Sequence, residues 1–149
     1  MSVGGMRGKV RKLAGPVDRL LQAAANETEA MREDCLTHLG ETIGELGNAV
    51  GSLDGNGEMD GRRLDRLAAD IQGIAGNYGF VFVARLAGAL RRALRQRERI
   101  PVREQAVIEA HAKALAGAYR RGADAAGDER LRSALLDALT NLDTGSRSG

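Results

Sequence analysis

The chain has no tryptophan, two phenylalanines and two tyrosines in 149 residues. β-Branched residues are also sparse, while alanine, leucine and arginine are abundant. That balance disfavours a sheet core and suits helices. The single cysteine, Cys35, cannot form an internal disulfide. It falls within an apolar helical pattern, where a buried thiol in a reducing compartment is expected. Only two prolines occur, Pro16 and Pro101, and both stand where helices would start. No run of about 18 apolar residues is present, so no membrane span is expected. The basic, glycine-rich start lacks the apolar core of a secretory signal, which points to a cytoplasmic protein. No Ser-His-Asp or Cys-His constellation can be assembled. Two histidines and one cysteine at unrelated positions do not make a metal site, so neither metal nor cofactor is expected.

A chain of this length favours one domain and can bury roughly 68–70% of its unfolded surface. Residues 1–15 read as a flexible basic tail, 16–143 as one helical domain and 144–149 as a disordered tail. Pro16 opens a helical pattern carrying Val17, Leu20, Leu21 and Ala24. Asn26-Glu27-Thr28 could interrupt it, leaving one long helix or two. Leu36, Leu39, Ile43, Leu46, Val50 and Leu53 recur in steps of three and four, as a helical stripe does. Asp54-Gly55-Asn56-Gly57 supplies turn chemistry. A second helix, starting near Met59 or Asp60, carries Leu64, Leu67, Ile71 and Ala75. A third carries Phe80, Val83, Leu86, Ala87, Leu90 and Leu94. Pro101 opens a fourth, with Ile108, His111, Leu115 and Tyr119 on one face. A last helix near Asp128–Leu142 carries Leu131, Leu135, Leu139 and Leu142. Amphipathic helices joined by short links predict an all-α fold. The expected arrangement is an antiparallel up-down four-helix bundle with extra N- and C-terminal helical segments.

Residues 69–80 read Ala-Asp-Ile-Gln-Gly-Ile-Ala-Gly-Asn-Tyr-Gly-Phe. This stretch resembles the phosphoacceptor helix of bacterial histidine-containing phosphotransfer (HPt) domains. There a His-x-x-Lys-Gly core precedes small residues and a Gly-aromatic turn. The resemblance covers the helix pair from about Gly61 to Leu94 and touches Val107–His111. It places Ala69 at the family's histidine and Gln72 at its lysine. A methyl group cannot take a phosphoryl group, and a neutral amide cannot supply the lysine's charge. The resemblance therefore implies a non-catalytic member of two-component signalling. Such a protein docks a response-regulator receiver or a histidine kinase without relaying phosphate.

The helical period gives this reading a surface. With Ile71 pointing inward, Ala69 lies about 200° away, on an outer face shared with Arg62, Asp65, Gln72 and Gly76. Gly73 and Gly76 each cost a helix about 1 kcal/mol relative to alanine. Close approach of another backbone would account for them, from a neighbouring helix or from a partner. In the HPt family the glycine after the lysine lets the receiver come close, and Gly73 holds that position. Arg66 and Arg85 are expected to flank this face and meet an acidic partner. They lead into an arginine-rich stretch with Arg91, Arg92, Arg95, Arg97, Arg99 and Arg103. The absence of interleaved aromatics argues against nucleic acid. Two alternatives stand beside this reading. One is an active phosphotransfer protein using His38 or His111. The other is a structural helical protein that associates as a homodimer through the 36–53 stripe or the terminal leucine helix. Asp54, Asn56 and Glu58 alternate like a calcium loop, but its glycine position holds Met59.

Overall fold

The computed structural model describes residues 15–124 and 129–148. They form five α-helices: α1 (Gly15–Val50), α2 (Gly61–Asn77), α3 (Val81–Leu94), α4 (Gln105–Arg120) and α5 (Glu129–Ser148). Two short strands join them, β1 (Met59–Asp60) and β2 (Arg99–Ile100). The all-α expectation holds. The expected tail at 1–15 lies outside the described residues except for Gly15, which begins α1. The side chains of Leu131 and Leu142, expected inward, also lie outside them.

By its contacts the chain divides into two units, residues 1–36 and 37–149. The described part of the first is wholly helical. Asn26-Glu27-Thr28 does not break it: Gln22 Nε2 donates to Asn26 Oδ1 (3.1 Å) and Thr28 Oγ1 donates to the Ala24 carbonyl (2.9 Å). Both bonds span four residues, so these polar groups are satisfied along the helix itself. Cys35 is half-buried, not enclosed as its apolar pattern suggested.

In the second unit the helical stripes converge. Leu39, Ile43, Leu46 and Val50 of α1 join Leu64, Leu67 and Ile71 of α2 in one buried cluster. Phe82, Leu86, Leu90 and Leu94 of α3, Ile108 and Leu115 of α4, and Leu139 of α5 complete it. Each fully buried side chain of this kind stabilises by about 1.5–3 kcal/mol. Helix α2 packs on α3, α3 on α4, and α4 on α5. The stripe from Leu39 to Val50 and Leu139 are thus used by the chain's own core. Leu53, the last residue of the expected stripe, is exposed.

The ribbon between β1 and β2 is absent from the helical reading. It is antiparallel, with Met59 opposite Ile100 and Asp60 opposite Arg99, and both apolar members are buried. It delays the start of α2 to Gly61, where Asp60 caps the helix by accepting from the Arg63 N–H (3.1 Å). Gly61 is required here: a Cβ would stand 2.0 Å from the Arg97 carbonyl oxygen. Its own N–H donates to the Glu98 carbonyl (2.8 Å).

Helix α3 ends without glycine, on Arg95 and Gln96 in left-handed conformations (φ 53° and 56°). Arg97 folds back over that end and donates to the carbonyls of Ala93 and Leu94, both at 3.1 Å. These bonds satisfy helix-end carbonyls and place positive charge at the negative end of the dipole. Pro101 does not open α4 directly. It precedes a 3₁₀ turn, Val102–Glu104, and α4 begins at Gln105. Gln105 Nε2 donates back to the Gly57 carbonyl (2.6 Å), tying this turn to the α1–α2 loop. Helix α5 runs to Ser148, through most of the stretch read as a terminal tail.

Candidate docking site on helix α2

Helix α2 is positioned at both ends. Asp60 and the ribbon set its start. At its end the Tyr78 N–H donates to the Ile74 and Ala75 carbonyls, and Gly79 turns the chain with φ 86°. The Phe80 N–H returns to the Ala75 carbonyl (2.8 Å). This glycine supplies a left-handed position that other residues adopt at a cost. Helix α3 then starts under Asp124. Its carboxylate accepts from the N–H groups of Phe82 (2.5 Å) and Val83 (3.2 Å). The cap comes from beyond α4, so it joins the far end of the chain to the site's second helix.

The face expected around Ala69 is divided in two. On one side Asp65 and Gln72 lean on α3. Arg91 Nε lies 3.0 Å from Asp65 Oδ1, and Arg91 Nη1 donates to Gln72 Oε1 at 3.1 Å. Gly88 makes room for this: a Cβ there would meet Gln72 Nε2 at 3.0 Å. A shallow depression runs past Asp65, Gln72, Gly88, Arg91, Arg92 and Arg95. Ala69 is half-buried, between this seam and the open side. On the open side Arg62, Arg66, Gly73 and Gly76 are exposed. A Cβ on Gly73 or Gly76 would meet nothing within 4 Å. Close packing among the described residues therefore does not account for either glycine.

The arginines also divide. Arg62 pairs with Glu98, Arg97 with Glu104 (2.5 Å) and Arg99 with Asp54 (2.6 Å). Arg91, expected on a solvent-facing basic surface, instead bridges the two helices. Arg66, Arg85, Arg92, Arg95 and Arg103 remain exposed. Arg85 stands about 120° round α3 from Arg91, off the line that meets Asp65 and Gln72. Arg91 and Gly88 were missed as site residues by sequence reasoning. Period alone gives each helix its faces but not which outer face meets which neighbour.

The histidines differ in access. His111 is buried (1% exposed), with Nδ1 2.8 Å from the Val107 carbonyl oxygen. His38 is exposed on α1. Asp54 Oδ1 accepts from the backbone of Asn56 (2.8 Å) and Glu58 (2.9 Å), which closes a turn. These bonds, the Glu58 one foremost, hold its carboxyl below the ordinary range, with Arg99 adding to the effect. Among the described residues no group of three or more acidic, histidine or cysteine side chains could hold a metal ion. None of the described helices is long and apolar enough to cross a membrane. Compared with family models, curated proteins and solved structures, the chain matches none.

Proposed function

We propose that this chain is a degenerate HPt-like protein that docks a receiver domain or a histidine kinase without relaying phosphate. In this reading the second half of α1 with α2, α3 and α4 forms the up-down bundle, and the open side of α2 is the contact surface. The observation that carries it is the exposure of Gly73 and Gly76 over empty space. Two glycines within four positions weaken a helix, and none of the described residues packs against them. A partner backbone lying against α2 would. Ala69 beside them offers that partner a methyl group where the family offers imidazole. Exposed Arg66 adds positive charge toward an acidic rim.

The test is binding and phosphoryl transfer with purified receiver domains and histidine kinases of the same genome. The parent is expected to bind one of them and to take up no phosphate. Gly73→Arg should abolish that binding. The double variant Ala69→His with Gln72→Lys should gain phosphate from the phosphorylated receiver. Absence of binding to any member of the panel by parent and double variant alike would sink the proposal. A second reading rests on His38, whose exposure leaves its imidazole open to a phosphorylated receiver. It predicts an acid-labile phosphohistidine on the parent chain, lost in His38→Gln.

A further inference from the structure

Residues 15–36 present apolar side chains that the first unit does not cover. Val17 (55%), Leu20 (71%), Leu21 (64%) and Met31 (64%) are all exposed. Three of them, Val17, Leu21 and Met31, fall on one stripe that Ala24, Thr28 and Cys35 complete, and Leu20 stands beside it. Val17, Leu21, Ala24, Thr28, Met31 and Cys35 alternate in steps of four and three, the a and d positions of a heptad. The opposite face is polar, with Arg19, Gln22, Asn26, Glu29 and Glu33, and the Gln22–Asn26 bond lies on it.

We infer that this stripe pairs with the same stripe of a second copy, as a parallel, in-register, two-stranded coiled coil. The flanking residues match those of a second copy, and Glu27 and Leu20 favour the parallel direction. In a parallel pair the residue before an a position faces the residue five further along the other helix. That rule sets Glu27 against Arg32 of the second copy, twice by symmetry, and Leu20 against Ala25 of the second copy. An antiparallel pair centred on the same stripe sets Glu27 against its own copy and Leu20 beside Asp34, and sets Asp18 against Arg32. The surface self-complements in one direction only at Glu27 and Leu20. The pairing is independent of docking on α2 and would present two α2 surfaces per particle.

The test uses the full chain. Light scattering over a concentration series should give the dimer mass. Cys35 falls at an a position, where parallel in-register helices bring two α-carbons within disulfide range. Diamide should therefore join the two Cys35 thiols of a dimer, the thiols being oxidised and the diamide reduced to the hydrazine. Leu21→Glu with Met31→Glu should raise the dimer dissociation constant at least about 100-fold. Both side chains are exposed, so the circular dichroism and unfolding of residues 37–149 should be retained. Glu27→Arg should weaken the dimer, and adding Arg32→Glu should restore it. A monomer at about 100 µM would overturn the inference. A dimer that survives Leu21→Glu with Met31→Glu, or one that diamide cannot join through Cys35, would also overturn it.

Discussion

Arg91 Nη1 donates to Gln72 Oε1 at 3.1 Å while Arg91 Nε lies 3.0 Å from Asp65 Oδ1. One guanidinium from α3 thus ties down two side chains of α2 that lie about two helical turns apart. It also brings positive charge to the position where the HPt resemblance expects lysine.

That seam should be measurable as coupling. Arg91→Ala is expected to cost about 1 kcal/mol, because both partners lose a charge-assisted bond at a half-buried site. The Arg91 side chain is 39% exposed and Asp65 25%, so solvent screening keeps the figure modest. A double-mutant cycle with Asp65→Ala, read by urea unfolding, should give a coupling of about 0.5 kcal/mol. Strict additivity would show the pair to be energetically silent.

Glycines on α2 should separate folding from docking. Gly73→Ala is expected to stabilise the chain by about 0.5–1 kcal/mol, since the new methyl meets nothing and helix propensity improves. Gly61→Ala should instead cost more than about 2 kcal/mol, because its methyl meets the Arg97 carbonyl oxygen. Thermal unfolding of the two variants should move in opposite directions. If Gly73→Ala also weakens partner binding, the glycine is kept for contact and not for the fold.

The Asp124 carboxylate should matter to α3 although about forty residues separate it from the bonded N–H groups. Asp124→Ala is expected to cost about 1–2 kcal/mol through the lost cap and the lost charge at the helix N-terminus. Asp124→Asn retains an acceptor and should cost less. Amide hydrogen exchange at Phe82 and Val83 reports the effect directly, and unchanged protection in Asp124→Ala would contradict it.

Asp54 should give the fold an acid-sensitive contribution. Its folded pKa lies below the ordinary value of 3.8, chiefly through the N–H groups of Glu58 and Asn56. A lowered pKa means that the unfolded chain binds the proton more readily. The contribution is therefore complete above the ordinary value and fades as pH falls through the lowered one. The stability difference between the parent and Asp54→Asn should be flat above about pH 5 and should shrink below about pH 4. A difference that grows on acidification would reverse the assignment.

Much of the helical plan was legible because burial imposes a period. Leu64, Leu67 and Ile71, or Leu86, Leu90 and Leu94, can share one face only on a helix, and these residues lie in the core. Turn chemistry at Asp54–Gly57 and at Gly79 marked the breaks. The β1–β2 ribbon was not legible: two-residue strands carry no alternation, and what demands Gly61 is a carbonyl 36 residues away. Asn26-Glu27-Thr28 left the start of the chain open, and local side-chain bonds let the helix continue. At the candidate site the residues were readable singly, but their division into a seam and an open side was not.

What local chemistry decides by itself is which segments are helical, which faces are apolar, and that position 69 holds a methyl group and no nucleophile. Those properties follow from side chains one or two turns apart. Only the packed chain decides that Arg91 is a bridge and that His111 is enclosed while His38 is open. It likewise leaves the Gly73 and Gly76 surface uncovered by the described residues. Each depends on which outer face of a helix its neighbour covers, and that is set by residues far apart in sequence competing for the same buried space.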